Sequence, residues 1–417
     1  MIRVKAIDAY RVTPLTFCHT FGRYSGSEPV SIQYRVLSLL RDLGPLSRAQ
    51  LSDELEVARP RLLAELEALI AAGRVLEAGR ATSRGGRPST LVQLDPEIRF
   101  AAVDLGASSI DIEITDGGLK PIASYAEAAD IRKGPRAVLD RVNELLNEMA
   151  DKSGCTRFDS IGIGLPGPVS FKEGISVSPP IMPGWDRFPV RNTLTDAHGC
   201  PVVVDNDVNV MALGERYAGV ARSVDNLLFV KIGSGIGCGV QVHGQIYRGS
   251  EGSAGDIGHI QVAAEGPACA CGKTGCLEAF FGGVALARDA TAAARSGQSP
   301  ALAARLAAGG SLTAVDVAEC AAGGDVTCVN LIRDGGHRVG QVLATLVSFI
   351  NPSMIVIGGG VSGLGHLLLA EIRSVVYKGS LPLATGNLQI VLSELGPRAG
   401  VAGAALLASE LDFKSHL

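Results

Sequence analysis

The chain of 417 residues is poor in aromatic side chains, which make up only 5% of it, and it contains a single tryptophan but 52 glycines. This balance suits an α/β protein with many glycine turns, and the length is enough for two or three domains. The formal net charge is only −4. That value excludes a molecule that attracts nucleic acid over its whole surface, so any nucleic-acid surface must be local.

No uninterrupted apolar run is long enough to cross a membrane. The longest candidate, 339–360, predicts a buried helix followed by a strand. It is interrupted by Gln341, Ser348, Asn351 and Pro352. The N-terminus also lacks the apolar core of a signal peptide. With nine cysteines and no secretory signal, we expect a reducing cytoplasmic location, where clustered thiols bind metal and do not form disulfides.

The densest group of potential metal ligands lies in 249–278. Zinc prefers four nitrogen or sulfur ligands arranged as a tetrahedron. The segment offers four such side chains: His259, Cys269, Cys271 and Cys276. The cysteines follow a Cys-x-Cys-x4-Cys spacing, and Gly272 and Gly275 let the chain double back between them. A closed Cys3His set predicts a structural Zn²⁺ site; the alternative is three small apolar cysteines and an unrelated core histidine.

Residues 31–94 predict a winged helix-turn-helix domain behind a poorly ordered arm, 1–30. Apolar side chains recur at helical spacing in 31–44 and again in 58–75. Between these segments, Ser47 is suited to cap a second short helix. In this fold the second helix of the motif enters the DNA major groove from its N-terminal end. The order of these segments therefore favours a DNA-binding domain.

Four arginines are the candidate DNA contacts of this domain. Arg59 and Arg61 start the third helix, at the end nearest the bases. Arg84 and Arg87 lie at the tip of the predicted two-stranded wing, where guanidinium groups suit a minor groove or phosphates. The alternative is a small helical domain that binds protein, with a solvated arginine loop.

Three glycine turns follow apolar strands in the rest of the chain. The first spans 104–108, the second 233–239 and the third 358–360. Backbone N–H groups in such turns can meet phosphate oxygens, and the Asp104 carboxylate can hold Mg²⁺ through water. Together the turns suggest a duplicated, two-lobed nucleotide fold that closes on ATP. The alternative is three tight hairpins that need positive φ.

From about residue 99 to its end, the chain resembles the ROK family of sugar kinases and sugar-responsive repressors. The resemblance rests on the motifs DLGASS, GIGLPGPVS, VVDNDVNVMALGE, IGSGIGCG, GDIGHI, CACGKTGCLE and IVIGGGVS. It implies an α/β architecture: the winged helix-turn-helix, as in the repressor branch, followed by a two-lobed actin-like or hexokinase-like (RNase H-like) ATPase fold. We expect the first lobe at 99–205, joined by a C-terminal helix at 398–417, and the second lobe at 206–397.

The same resemblance implies roles for individual residues. Asp207 matches the general base that accepts the proton of a sugar hydroxyl during phosphoryl transfer. Asn206, His259 and Glu278 match sugar contacts, and His259 also ligates zinc. The implied phosphate contacts are Asp104, Gly106, Ser108, Gly233, Gly235, Gly237, Gly358, Gly359 and Gly360. Without the resemblance, a helix cap at the end of a strand is the more ordinary interpretation of Asp207.

Three positions depart from the family pattern. Asp256, a sugar contact, stands where the family has glutamate, which withdraws the carboxylate by roughly 1.5 Å. A misplacement of about 1 Å in a reacting group can reduce the rate on the order of a hundredfold. Ala107 replaces a glycine of the first phosphate turn, and Asp205 replaces a glutamate. These departures place kinase activity in doubt more than ligand binding.

The sequence therefore predicts a cytoplasmic transcription regulator, most simply a repressor, that senses a sugar or sugar derivative. We expect it to bind operator DNA as a homodimer or homotetramer, with Zn²⁺ as structural metal and Mg²⁺ and ATP as further candidate cofactors. No membrane partner is expected. The alternatives are an ATP-dependent sugar kinase carrying a DNA-binding domain, and a module whose helical domain binds protein.

Overall fold

The computed structural model describes the chain from residue 31 to 80 and from 89 to 415. The predicted arm, 1–30, lies outside the described residues, and so does the wing tip with Arg84 and Arg87. The predictions for these segments stay predictions.

The first six elements have the order and pairing of a winged helix. Their bounds are α1 Ile32–Leu43, β1 Leu46–Ser47, α2 Arg48–Leu55, α3 Arg59–Ala71, β2 Val75–Arg80 and β3 Thr90–Leu94. The strands form one sheet in the order β1-β3-β2. The short β1, which the sequence pattern did not predict, adds a third strand to the two-stranded wing. The winged helix-turn-helix fold is confirmed.

Local signals set the ends of these helices. Ser31 caps α1, because its Oγ accepts a hydrogen bond from Tyr34 N at 3.1 Å. The predicted cap at Ser47 forms a full capping box with Gln50 at the start of α2. Pro60 lies in the first turn of α3, where its missing N–H has no consequence. Leucines such as Leu66 are fully buried between the helices, each worth about 1.5–3 kcal/mol.

A five-stranded sheet, the first sheet, follows in the order β10-β7-β4-β5-β6. Its elements and connections are β4 Arg99–Leu105, β5 Ser109–Asp116, β6 Pro121–Ala128, α4 Pro135–Ser153, β7 Ser160–Leu165, β8 Val169–Ser170, β9 Ile175–Ser176, α5 Val190–His198 and β10 Val202–Asn206. The single tryptophan, Trp185, is fully buried against this sheet's core and donates a hydrogen bond to Ile131 O at 3.0 Å.

The second sheet has the order β13-β12-β11-β14-β15. After α6 Asp207–Ala218 come β11 Leu227–Ile232, β12 Ile236–Val242, β13 Gln245–Ile246, α7 Leu277–Phe281, α8 Gly283–Arg295, α9 Pro300–Ala307, α10 Ala314–Ala322, α11 Val326–Ile350, β14 Met354–Gly358, α12 Gly365–Gly379, α13 Pro382–Thr385, β15 Gln389–Leu392 and α14 Ala399–Ser415. Single 3₁₀ turns lie at Ile131–Lys133, Ile257–His259, Gly360–Leu364 and Gly396–Arg398. The alanine-rich stretch 284–325 packs into this sheet's core through Ala290, Ala294 and Val317.

The two sheets repeat one topology. In each, an antiparallel hairpin leads, and two later strands add in parallel beside its first strand. In the first sheet Asp104 pairs with Asp111 of the hairpin and with Gly164 of the parallel strand. In the second sheet Lys231 holds the equivalent place, between Gly237 and Gly358. The duplicated two-lobed α/β fold is confirmed.

Helices α6 and α14 follow the last strands of the two sheets and pack against each other. Each also packs on the opposite sheet, α14 on β4 and β7, and α6 on β11 and β12. Glycines permit this close approach: an added Cβ at Gly214 would lie 2.0 Å from Ala399 O, and one at Gly403 would lie 1.8 Å from Val210 O. The two helices therefore link the two sheets through backbone contact.

The C-terminal part of α14 also holds the winged helix. Arg74, just after α3, pairs with Asp159 at 2.7 Å and with Asp412 of α14. Arg41 of α1 donates hydrogen bonds to Ser409 and Glu410, both at 3.0 Å. These arginine and aspartate side chains are buried, so the contact is more than a surface ion pair.

None of the helices in the described part of the chain is long and apolar enough to span a lipid bilayer. The run that the sequence flagged is divided as predicted, into α11 and β14.

Candidate functional site

The four predicted metal ligands come together. The ligand atoms of His259, Cys269, Cys271 and Cys276 all lie within 4.8 Å of one another. Cys269 Sγ is 3.4 Å from His259 Nδ1, and Cys271 Sγ is 3.7 Å from Cys276 Sγ. A tetrahedron with metal–ligand bonds of about 2.0–2.3 Å has edges of about 3.5–3.8 Å. The cluster therefore has the donors and the dimensions to hold a metal ion.

Glycines shape the loop that carries the cysteines. Gly272 and Gly275 have φ of +89° and +73°, the conformation that residues with a side chain avoid. At Gly275 an added Cβ would also lie 2.0 Å from Ala263 O. The doubled-back chain predicted for this loop is found, closed by the isolated bridge between Gln261 and Cys276.

The thiols need a cation to ionise together. Burial raises the pKa of the Cys269 thiol to about 12 and raises that of Cys276, whereas the backbone N–H of Lys273 lowers the pKa of Cys271. Thiolates are the metal-binding form of cysteine. A divalent cation among the four donors would supply the missing positive charge, so the residues present fit a metal.

Glu278 connects this cluster to the second glycine hairpin. Its Oε1 lies 3.4 Å from both His259 Nδ1 and Cys269 Sγ. A Cβ added at Gly235 would lie only 2.6 Å from Glu278 Oε2. The carboxylate thus takes the space that the missing side chain of Gly235 leaves open.

Asn206 and Asp207 start α6, which packs against the same hairpin. Asn206 caps the helix: its Oδ1 accepts from Val208 N at 2.9 Å, and its Nδ2 donates to Gly167 O at 2.7 Å. Asp207 is therefore not the cap, contrary to the more ordinary interpretation. Its buried carboxylate accepts a hydrogen bond from Lys231 Nζ at 2.5 Å.

The second hairpin brings these groups into one region. Gly235 meets Glu278, and Gly237 meets Val208, whose Cγ2 would lie 2.9 Å from an added Cβ. Gly235 lies in the turn just before β12 and Gly237 lies within β12, so the same hairpin makes both contacts. Four of the five predicted sugar contacts, Asn206, Asp207, His259 and Glu278, thus flank one hairpin.

Asp256, the fifth, is different. It is exposed at the start of the 3₁₀ turn Ile257–His259, and within the described part of the chain its side chain makes no hydrogen bond. Its role as a sugar contact stays a prediction.

Asp205 holds the start of α6 in place through hydrogen bonds and an ion pair. Its Oδ1 accepts from Asn206 N at 2.8 Å and from Asn209 Nδ2 at 3.0 Å. Its Oδ2 pairs with Arg248 at 2.6 Å, and the guanidinium of Arg248 lies 3.9 Å from the centre of the Phe171 ring. Asp205 therefore orients Asn206 and links β10 of the first sheet to Arg248, which follows β13 of the second. Arg248 was missed because it lies in a segment without recognisable pattern.

The predicted phosphate contacts lie at the ends of three strands, but not all as expected. Asp104 is inside β4 and buried, whereas the sequence suggested the tip of the turn. Ser108 is exposed at that tip, with Gly106 before it. The third turn begins at Gly358, the last residue of β14.

The need for glycine in these turns comes mainly from close packing. Gly106, Gly233, Gly235 and Gly237 do not have positive φ, and of the third turn only Gly359 does, at +86°. An added Cβ at Gly358 would lie 2.5 Å from the Phe229 ring. The explanation by positive φ is thus wrong for most of the turns, and their role toward phosphate stays a prediction.

Lys231 is a residue of the site that the sequence reasoning missed. Burial lowers its pKa, but Asp207 and Asp104 outweigh that effect, so its pKa lies above the usual value. Burial raises the pKa of Asp104 to about 7, against the lowering effect of Lys231. The available signal was a charged residue inside the apolar strand FVKI, placed like Asp104 before a glycine turn.

Two of the four arginines predicted to contact DNA lie in the described part of the chain. Arg59 and Arg61 are exposed at the N-terminal end of α3. Within the described residues neither makes a side-chain hydrogen bond or an ion pair. Both guanidinium groups are available to a partner.

Known proteins resemble this chain over nearly all of its length. The family model described as ROK family matches residues 100–411. The xylose repressor of Caldicellulosiruptor bescii is 28% identical over 386 residues, 91% of this chain and 96% of that protein.

Two solved structures, one of a regulator and one of a kinase, resemble this chain. A ROK family transcriptional regulator, a homologue of the E. coli MLC protein, superposes with a TM-score of 0.78 at 29% identity, covering 91% of this chain and 96% of its own. A ROK family glucokinase from Streptomyces griseus, solved with glucose and AMPPNP, gives 0.67 at 28% identity and covers 74% of this chain and 99% of its own.

Proposed function

The chain belongs to the ROK family, and from that premise we propose that it is a sugar-responsive, DNA-binding transcriptional regulator, acting as a repressor. One observation carries this proposal: the likeness to a regulator spans 91% of the chain, whereas the likeness to a glucokinase spans 74%. The family match begins at residue 100. The difference is thus the N-terminal winged helix, which a kinase does not need.

The DNA-binding part of the proposal rests on α3. Its N-terminal end carries Arg59 and Arg61, exposed and without other partners among the described residues. In a winged helix-turn-helix this end approaches the base edges. Arg84 and Arg87 complete the proposed DNA surface. Two such domains in a homodimer or homotetramer would match a two-fold operator, and a cytoplasmic location follows from that target.

The sugar-binding part rests on the group around the second hairpin. Asn206, Asp207 and Glu278 offer amide and carboxylate oxygens, which accept hydrogen bonds from sugar hydroxyls. His259 turns Nδ1 toward the cysteines, which leaves Nε2 for the ligand. Asp256, on the exposed turn beside His259, can join from the solvent side. Relatives named xylose repressor and the glucokinase solved with glucose support a monosaccharide as effector.

We assign the metal cluster to structural Zn²⁺. Three thiolates and one imidazole are the donors that zinc favours, and four protein ligands leave no open position for catalysis. The bound ion would supply positive charge and fix the loop. His259 and Glu278 would then be held in place at the sugar site, because His259 is itself a ligand and Glu278 lies against it.

A route for the signal runs through the two packed helices. Sugar contacts at the start of α6 act on a helix whose backbone lies against α14 at Gly214 and Gly403. The far end of α14 holds the winged helix through Asp412 and Glu410. Binding that favours one arrangement of the sheets therefore changes the position of the DNA-binding surface.

The test uses sheared genomic DNA of the source organism, from which fragments bound by the purified zinc-loaded protein are selected and sequenced. Fluorescence anisotropy on a selected fragment then compares Arg59→Ala/Arg61→Ala with the charge-matched control Arg132→Ala/Arg295→Ala, whose arginines are exposed elsewhere. We expect the first double variant to lose binding and the second to keep it. Equal binding by both would contradict the DNA surface.

Release from DNA is measured with a panel of neutral monosaccharides that includes xylose and glucose. A sugar that binds the folded protein also raises its melting temperature, and Glu278→Ala should abolish both effects. A sugar effect on DNA binding that persists in Glu278→Ala would refute the sugar site.

An ATP-dependent sugar kinase is the second candidate, because Asp207 is retained at the start of α6. Its phosphate contacts would be Asp104, Gly106, Ser108 and the turns at 233–237 and 358–360, with Mg²⁺ and ATP as cofactors. ADP formation over the same sugar panel decides between the candidates. Activity that Asp207→Ala abolishes would support the kinase.

A further inference from the structure

We propose that Lys231 is a built-in cation that takes the place of a metal ion among the carboxylates of the site, so that the site binds an uncharged sugar without Mg²⁺-nucleotide. The inference rests on the proposed sugar site and goes beyond it, because it names what limits the ligand class.

The contact between Lys231 and Asp207 is the first observation. Nζ lies 2.5 Å from Asp207 Oδ2, and the two side chains are only 19% and 6% exposed. A general base must offer a free lone pair to the proton that it removes. The Asp207 oxygen that faces Lys231 already accepts an ammonium proton. Asp207 can then bind a sugar hydroxyl through its other oxygen but is poorly prepared to deprotonate it.

The second observation concerns two further carboxylates. Asp104 and Asp111 pair across the first hairpin, and both interact electrostatically with Lys231. Asp104 Oδ1 is buried and, among the described residues, has no hydrogen-bond partner. Buried oxygens of this kind are the ligands that Mg²⁺ prefers. One ammonium group therefore interacts with three carboxylates, a set of oxygens that could otherwise hold a divalent cation.

Charge then selects the ligand. Arg248, the arginine that contacts Asp205 behind Asn206, is already committed to that carboxylate. With Lys231 committed to Asp207, neither cation is left to neutralise a phosphate. A triphosphate or a sugar phosphate would meet uncompensated carboxylates, whereas an uncharged sugar would not. The site should accept neutral sugars and reject their phosphates.

The experiment titrates Mn²⁺, a spectroscopic substitute for Mg²⁺, into protein whose cysteine cluster is saturated with zinc. Free Mn²⁺ is followed by electron paramagnetic resonance. We expect Lys231→Met to bind Mn²⁺ at least about tenfold more tightly than the wild type. The exposed Lys172→Met, with the same change in net charge, should behave as the wild type. Adding Asp104→Asn to Lys231→Met should abolish the gained site.

Two further variants keep the test decisive if Lys231→Met does not fold. Lys231→Gln should also gain Mn²⁺ binding, and Lys231→Arg, which keeps the charge, should not. Equal Mn²⁺ binding by the wild type and the uncharged variants, or a gained site that survives Asp104→Asn, would overturn the proposal.

Thermal shifts of the wild type with glucose, xylose and their phosphates complete the experiment. A preference for the neutral sugar is expected, and stronger binding of the phosphate would overturn the selection. If neither form binds, the proposed sugar-sensing function fails, while the Mn²⁺ comparison still decides the role of Lys231.

Discussion

The two sheets share a strand order, yet they carry opposite charges at the same place. Asp104 in the first sheet and Lys231 in the second both lie between a hairpin partner and a parallel strand, just before a glycine turn. A repeated fold thus supplies equivalent positions, and the side chain at each position decides the chemistry. The comparison teaches that phosphate-type turns alone do not identify a kinase.

The halves differ again in what they insert. The first sheet adds only the short pair β8 and β9 before α5, whereas the second adds the metal loop and the helices α7 to α10. The second half therefore builds most of the candidate site, and the first contributes Asp104, Asp205 and Asn206. The tests that follow act on these differences, from the largest expected effect to the smallest.

Removing a ligand of the proposed zinc site should have the largest effect, because that site lies in the second half, next to the proposed sugar contacts. We expect Cys271→Ser to lose bound zinc and the sugar response together, since structural zinc contributes about 10–16 kcal/mol in small zinc domains. Zinc content by mass spectrometry and sugar-dependent melting temperature measure the result. Cys155→Ser, a thiol beside the first sheet, should keep both. Full zinc content in Cys271→Ser would exclude this cluster as the metal site.

The ends of α6 and α14 provide the next test, because α6 begins at the sugar site and α14 ends at the winged helix. Arg74→Leu removes the arginine partner of buried Asp159 and Asp412. We expect a loss of about 3–5 kcal/mol in unfolding free energy and a weaker sugar effect on DNA binding. Chemical denaturation and anisotropy measure these.

The control for Arg74 is Arg48→Leu, which breaks an exposed pair with Glu77 and should cost about 0–1 kcal/mol. Equal losses in the two variants would show that the contact with α14 contributes no more than a surface pair does.

Gly214→Ala tests the contact between the two equivalent helices themselves. The new Cβ would lie 2.0 Å from Ala399 O, so we expect a loss of about 1–3 kcal/mol by overpacking, even though alanine favours helix by about 1 kcal/mol. Differential scanning calorimetry gives the value. Gly310→Ala, which has open space around it and ordinary φ, should be neutral. A stable Gly214→Ala would mean that the helices can separate without cost.

The smallest effect concerns Asp104 and pH. Because the folded pKa is about 7 against an ordinary 3.8, folding takes up a proton between these values, and wild-type stability falls as pH rises through that window. Asp104→Asn removes this dependence. Its melting temperature relative to the wild type should be higher at pH 8 than at pH 5 by about 2–4 °C. A difference that does not change with pH would mean that Asp104 titrates normally.

Much of the fold follows from local sequence signals. Helix caps at Ser31 and Ser47, the turn at Gly44 and the run divided into α11 and β14 depend on neighbouring residues, which a sequence displays directly. The metal cluster was equally accessible, because its donors lie within one loop and beside it. Features that depend on residues close together in the sequence can therefore be predicted without a structure.

What the sequence did not reveal depends on distant contacts. The pairs Lys231–Asp207 and Arg248–Asp205 join residues 24 and 43 positions apart, and their partners are set by how the sheets pack. Nothing in the neighbouring sequence explains why Gly214 and Gly403 are glycines. The structure explains it, because a side chain at either position would collide with the backbone of the facing helix. A residue's periodicity predicts which face it occupies but not what it meets there.

The backbone contact between α6 and α14 has a mechanical consequence. Helices packed backbone to backbone at glycines cannot approach more closely, and separating them would lose that packing. We therefore expect the sheets to move relative to each other mainly by rotation about this crossing. From Gly403 to Ser415 the helix extends roughly 18 Å beyond it, so a turn of about 10° swings its end by about 3 Å. In a two-fold dimer the two displacements would add. The spacing between the two DNA-binding domains would then change by about 6 Å, whereas half-sites one DNA turn apart are separated by about 34 Å.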